Sequence, residues 1–174
     1  MAARSDTFVD SHVLFDFGRS SRIGLPEAVF CEGKPFSSLK SLLSRFGRGS
    51  GHPILFTRLS PDVFGSMPGE IKEAYDYDPL SRTAFGDTMP ERKRGSVAIV
   101  SAGTADGFVT FEAARTLTYL GVHNEVFEDC GVAGLWRLTE KLPAINACDC
   151  VIVVAGLDAA LLSVVGGLIS KPLF

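Results

Sequence analysis

Three short stretches combine hydroxyls, carboxylates and glycines in spacings that suit the binding of an anion. The first is Ser101-Ala102-Gly103-Thr104-Ala105-Asp106. Set between a strand and a helix start, its backbone N–H groups point out of the helix N-terminus, and Gly103 lets a ligand approach closely. Ser101 and Thr104 offer hydroxyls to a phosphate, and Asp106 offers an acceptor to a ribose hydroxyl. Thr104 and Asp106 are equally good helix caps. The segment spells neither the GxGxxG fingerprint nor the P-loop. The second stretch, Asp129 to Arg137 (DCGVAGLWR), places Gly131 and Gly134 around a strand-to-helix turn. Arg137 there can grip a phosphate or carboxylate with two parallel hydrogen bonds, or simply be an exposed helical arginine. The third is Ala155-Gly156-Leu157-Asp158, at the head of a very apolar helix. Asp158 is either a capping carboxylate or an acid–base group whose pKa rises in a dry cleft.

The elements around these stretches decide whether they meet. Ser96–Ser101 (SVAIVS) is a continuous apolar run of the kind a buried parallel strand shows. A helix follows from about Gly107, with Val109, Ala113, Leu117 and Leu120 on one face and Gly121 beyond its end. Glu125–Glu128 reads as a second strand, 133–141 as a helix, Val151–Ala155 as a third strand and Ala159–Ile169 as a third helix. Strand and helix alternate three times, predicting a parallel sheet with helices over both faces: a three-layer α/β/α architecture of the flavodoxin-like kind. Right-handed crossovers put all three loops on one edge, where such sheets bind ligands. Lys171-Pro172-Leu173-Phe174 opens a fourth strand as the chain ends, so the sheet reads as incomplete.

A small α/β region precedes this one, and the boundary is expected at residue 94. Glu27–Glu32 is a strand candidate; Phe36, Leu39, Leu42, Leu43 and Phe46 sit at helical spacing; Gly47–Gly51 stops that helix; Pro53–Thr57 is a second strand candidate. Together they predict a β-α-β unit. Pro61, Pro68, Pro79 and Pro90 interrupt helical patterns over 60–94, which reads as loop, one or two short strands and a linker.

Composition bounds the function. The chain has 174 residues, 46% of them apolar and 21% charged, with a formal charge of −3, an ordinary globular balance. Residues 1–94 hold 13 basic and 12 acidic side chains; residues 95–174 hold 4 and 8. The one tight basic run, Arg92-Lys93-Arg94, reads as a solvated linker, and no nucleic-acid surface is expected. No apolar run is long enough to span a membrane, and Met1–His12 is not a secretory signal. The four cysteines then read as reduced thiols in a cytoplasmic setting. Cys148-Asp149-Cys150 lacks zinc spacing, and no metal site is expected.

Several segments, in this order, resemble one family: DFGRSSRIGLPEAVFCEGK (16–34), ILFTR (54–58), SAGTAD (101–106), CGVAGLWRL (130–138) and VIVVAGLDAALLSVVGGL (151–168). The second region is similar to the PurE-type AIR carboxylase domain. The whole chain more closely resembles the LarB family of pyridinium biscarboxylic acid mononucleotide synthases, which act in nickel-pincer cofactor synthesis. The resemblance implies carboxylation of the pyridinium ring of nicotinic acid adenine dinucleotide, with bicarbonate or CO2 as co-substrate, and cleavage of its phosphoanhydride to release AMP. It implies substrate contacts at Ser101, Gly103, Thr104, Asp106, Gly131, Gly134, Arg137 and Gly156, and catalytic roles for Asp129 and Asp158. It also implies assistance by Mg2+ and a homo-oligomer, an octamer by family expectation. The pattern departs from the family at Trp136 (usually His), Asp158 (commonly Glu) and Leu162 (a familiar proline). The family also continues past KPLF to a cysteine that attacks the ring, so the chain reads as C-terminally truncated. An AIR carboxylase of purine synthesis and a non-catalytic nucleotide-binding remnant are the alternatives.

Overall fold

The computed structural model describes residues 9–10, 13–89, 94–156 and 158–174; Arg92, Lys93, Leu157 and most of the segment before Val13 lie outside them. The chain divides into two compact units, Met1–Thr88 and Met89–Phe174, where the sequence reading set the division at 94.

In the first unit, β1 (Val9–Asp10) and β2 (Val13–Leu14) form a short antiparallel pair. α1 (Arg19–Ile23) follows, then β3 (Val29–Phe30), α2 (Phe36–Arg45) and β4 (Leu55–Thr57). β3 and β4 pair in parallel across α2, giving the β-α-β unit. α2 buries Leu39, Leu42 and Leu43, and Phe46 just past its end is buried too. Phe36 does not join them; at the first helical position it is 45% exposed.

The stretch after β4 is more regular than its prolines suggest. α3 (Pro61–Gly65) and α4 (Gly69–Glu73) are short helices, and β5 (Asp76–Asp78) and β6 (Thr83–Phe85) form a hairpin that joins the sheet in the order β3-β4-β6-β5. Pro61 is the first residue of α3, behind a Ser60 hydroxyl that accepts from the Val63 N–H, and Pro68 immediately precedes α4. At a helix start proline loses no hydrogen bond and its fixed φ is already helical. These prolines begin helices where the sequence reading had them prevent helices.

The second unit runs β7 (Ser96–Ser101), α5 (Gly107–Tyr119), β8 (His123–Phe127), α6 (Trp136–Thr139), α7 (Leu142–Ala147), β9 (Cys150–Val154) and α8 (Ala160–Leu168). The strands are all parallel, in the order β8-β7-β9, with Ile99 level with Val126 on one side and Ile152 on the other. The helices cover both faces. Ala98, Val100 and Val151 pack with Leu138, Ile145, Leu161 and Val165 in one cluster, while α5 lies against β7 and β8. This is the three-layer, flavodoxin-like α/β architecture. The helix expected over 133–141 is broken into a 3-10 turn (Val132–Gly134), α6 and α7, the last with Pro143 in its first turn.

Which face α5 buries is the other correction. The inward residues are Gly107, Thr110, Ala114 and Tyr119; Val109, expected in the core stripe, is 44% exposed. Small side chains let the helix come close to the sheet, and the Thr110 hydroxyl is satisfied by the Asp106 carbonyl at 2.9 Å. At the chain's end Leu173 bridges Val151 in parallel. Val151 and Val153 donate to the carbonyls of Pro172 and Phe174, each at 2.9 Å, so this segment aligns with β9 as a further strand.

Candidate functional site

The three loops leave the carboxyl ends of β7, β8 and β9, and backbone hydrogen bonds tie them together. The Cys130 N–H donates to the Ser101 carbonyl at 2.8 Å, and the Ala102 N–H to the Val154 carbonyl at 3.0 Å. The central strand thus locks onto both neighbours where the loops begin, on either side of the point at which strand order reverses. Ligands of doubly wound sheets sit at that point.

The first loop closes on itself. The Gly103 N–H donates to Asp106 Oδ2 at 2.9 Å, and the Asp106 N–H returns a bond to the Gly103 carbonyl at 3.0 Å. The other Asp106 oxygen, Oδ1, would lie 3.7 Å from a Cβ placed on Gly156, so the first and third loops meet there. Thr104 is exposed. Ser101 is fully buried, and its hydroxyl oxygen has no hydrogen-bond partner among the described residues. A buried hydroxyl without a partner costs free energy, and a ligand seated on this loop is a natural partner.

The second loop is built around Arg137. Its Nη1 donates to Asp129 Oδ2 at 2.7 Å, and Asp129 holds a left-handed backbone (φ 56°). The guanidinium lies across Gly134, where a Cβ would come within 2.9 Å of Nε. A Cβ on Gly131 would sit 2.9 Å from the Ala102 carbonyl oxygen. Gly131 is therefore demanded by the close approach of the first loop's backbone, while Gly134 makes room for the arginine side chain. Arg137 Nε is buried without a partner among the described residues.

Lys141 was not foreseen from the sequence. Its ammonium donates to the Glu128 carbonyl at 2.5 Å and lies 3.7 Å from Cys130 Sγ, clamping the end of β8 from α6's far side. No local signal marks it, because the contact joins residues 13 apart that only the fold brings together. Burial pushes the Cys130 thiol up, opposed by the Lys141 ammonium, and burial also raises Cys148. Protonated buried thiols are poor nucleophiles.

In the third loop Asp158 Oδ1 accepts from the Ala160 N–H at 3.3 Å, and Ala159 is left-handed (φ 52°). Asp158 is exposed. It bonds the first N–H of α8, whose N-cap is Ala159, and stands exposed where a dry cleft was expected. Nor do the carboxylates assemble a cation site: no group of three potential metal ligands occurs among the described residues, Asp129 is spent on Arg137, and one Asp106 oxygen is spent on its own loop. They build no all-protein cage for a Mg2+ among the described residues.

The remaining segments that carry the resemblance fold in the first unit. Arg22 grips Asp16 through two hydrogen bonds of 3.0 and 2.5 Å, which holds the Asp16 carboxyl below its usual range. The Asp16 N–H donates to Glu27 at 2.6 Å, and Cys31 is buried with its thiol pushed up to about 12. Residues 9–87 match the family described as the LarB/PurE-like N-terminal domain. The first unit is a LarB/PurE-like N-terminal domain. The match bears out the LarB resemblance carried by the motifs of this unit. An uncharacterized protein of Methanocaldococcus jannaschii is 29% identical over 174 residues, covering 94% of this chain and 67% of that protein. The LarB/PurE-like domain supplies the Asp16–Arg22 and Cys31 features, while the candidate loops all lie in the second unit. No helix among the described residues is long and apolar enough to cross a membrane.

Proposed function

We propose that the chain is a LarB-type enzyme, carboxylating the pyridinium ring of nicotinic acid adenine dinucleotide with CO2 or bicarbonate and cleaving the phosphoanhydride to release AMP. The observation that carries the reading is the buried, unpartnered Ser101 hydroxyl at the junction of three loops, in a chain whose other unit is LarB/PurE-like. In this reading Ser101, Gly103 and Thr104 bind a phosphate together with the first N–H groups of the following turn. Arg137 contributes charge-assisted hydrogen bonds to the same phosphate or its neighbour. Asp106, through the oxygen facing Gly156, accepts from a ribose hydroxyl. Asp129 holds Arg137 in position, and Asp158 stands at the mouth of the site, in reach of water for proton exchange. Gly131, Gly134 and Gly156 keep the floor low enough for a ligand. No step is routed through a metal ion. The enzyme acts as a cytoplasmic homo-oligomer, an octamer on the family pattern.

The test is to incubate the chain with nicotinic acid adenine dinucleotide, bicarbonate and magnesium and to follow products by mass spectrometry. AMP together with a dicarboxylated pyridinium mononucleotide is the expected result. Carboxylation of aminoimidazole ribonucleotide instead would establish the purine reading. Nucleotide binding without any product would leave a non-catalytic binding protein.

A further inference from the structure

The first unit holds a cleft of about 470 Å³ between the second half of α2, the glycine-rich loop 47–51 and α4. Lys40, Arg45 and Arg48 line it against one carboxylate, Glu70. This excess has a cause in the sequence: between Glu32 and Asp62 the chain carries Lys34, Lys40, Arg45, Arg48 and Arg58 and not one Asp or Glu. Neither Lys40 nor Arg48 makes an ion pair among the described residues. On a helix such a cation is commonly matched by a carboxylate three or four positions away, and around Lys40 those positions hold Phe36, Ser37, Leu43 and Ser44.

The cationic loop is also held rigidly. The Arg48 N–H donates to the Ala74 carbonyl at 3.0 Å, and the Gly49 N–H to Asp87 Oδ2 at 2.8 Å. A Cβ on Gly47 would lie 2.7 Å from the Ala74 Cβ, and one on Gly86 only 2.5 Å from the Arg48 nitrogen. Two glycines therefore let three segments of backbone close on one another around Arg48. Asp87, which meets the loop from just past β6, is engaged by the Gly49 N–H. The cleft thus combines exposed cations, one of them on a fixed backbone, with Ser44 and Ser50 at its wall and an apolar floor that includes the buried Leu43 and Ile71.

We propose that this cleft binds a phosphorylated small molecule of nucleotide size, its phosphates held by Lys40 and Arg48 and its organic part resting over Leu43 and Ile71. Its volume exceeds what a lone phosphate fills, and its charge suits a di-anion or greater. The cleft is built from first-unit residues alone, and the inference does not rest on the reaction proposed for the second unit's loops.

The test is isothermal titration of the full chain with pyrophosphate and with ADP at low ionic strength, in the wild type, Lys40→Gln, Arg48→Gln and Arg137→Gln. Each cleft substitution is expected to weaken binding about tenfold, the scale of one hydrogen bond to a charged group. One binding event is expected to survive in Arg137→Gln, and to weaken with salt because the cations are exposed. ADP is expected to bind more tightly than pyrophosphate through the apolar floor, and equal binding overturns the nucleotide-sized occupant. The proposal is overturned if the wild type binds neither probe, if Lys40→Gln and Arg48→Gln bind as the wild type does, or if Arg137→Gln abolishes all binding. Displacement of ADP by a short single-stranded oligonucleotide at lower concentration than by pyrophosphate overturns it in favour of a nucleic-acid surface. Circular dichroism of each variant establishes that the fold is retained.

Discussion

Replacing Ser101 by alanine is expected to move stability and binding in opposite directions. In the unliganded chain the hydroxyl is fully buried, and its oxygen lacks a partner among the described residues. An unsatisfied buried polar group costs roughly 1–3 kcal/mol, so deleting it removes that penalty. Against this stands the loss of one packed atom, worth a few contacts of about 0.1–0.2 kcal/mol each. The balance is a gain of about 1 kcal/mol, or about 2–4 °C in Tm for a chain of this length. Binding changes the other way. If the hydroxyl is held in reserve for a phosphate, its removal forfeits a hydrogen bond to a charged group, a loss of roughly tenfold to a hundredfold in affinity. Thermal unfolding of wild type and Ser101→Ala, each with and without nicotinic acid mononucleotide, reads both quantities in one experiment. The reasoning fails if Ser101→Ala loses more than about 1 kcal/mol of stability, since the hydroxyl then has a protein partner. It fails equally if the variant binds the nucleotide as tightly as the wild type.

Three further outcomes are expected. Gly131→Ala drives a Cβ to 2.9 Å from the Ala102 carbonyl oxygen, a backbone atom with little room to yield, so urea unfolding should show a loss of about 1–3 kcal/mol; an unchanged midpoint would mean the first two loops separate freely. Arg137→Gln breaks a partly exposed pair with Asp129, which costs at most about 1 kcal/mol of stability, yet it should abolish nucleotide binding at the sheet edge; calorimetry with nicotinic acid mononucleotide decides. The Cys31 thiol, pushed up to about 12 by burial, stays protonated in the folded chain after the unfolded thiol has ionised. Its contribution is complete below pH 9 and is lost as pH rises from 9 toward 12, by up to about 1.4 kcal/mol per pH unit. Urea midpoints across that range should fall less steeply in Cys31→Val, and an identical slope would refute the assignment.

The sequence yielded most where burial is simplest. β7 was read with its full bounds because an interior parallel strand is apolar on both faces, and alternation of strand and helix then put three loops on one edge without further information. It yielded least where a residue's role depends on a distant one. Val109 and Leu117 outweigh Thr110 and Ala114 in hydrophobicity, yet the small residues face the sheet because closeness of approach, together with a local bond for the Thr110 hydroxyl, decides the packing. Pro61 and Pro68 were misread because a proline's effect depends on which helical position it takes. In the site, the glycines and Arg137 were legible as types in a turn, but the arginine's course across Gly134 and the Lys141 clamp are long-range contacts that no local pattern encodes. Asp158 was legible only as a carboxylate at a helix head; its exposure and its bond to the Ala160 N–H depend on how that loop folds.

The central place of β7 in its sheet also sets an order of assembly. Its partner β8 pairs residues 27 positions apart, such as Val97 and Asn124. Its partner β9 pairs residues 53 positions apart, such as Ala98 and Val151. That near-doubling of loop length adds only about 0.6 kcal/mol of closure entropy, but β9 also emerges after β7 and β8 during synthesis. A chain that has formed β7, α5 and β8 already presents the Ser101 and Asp129 loops, and gains the Gly156 loop only when β9 docks. Ligand affinity during refolding should therefore appear late, after most helical signal has returned, making acquisition of nucleotide binding a clock for the final strand.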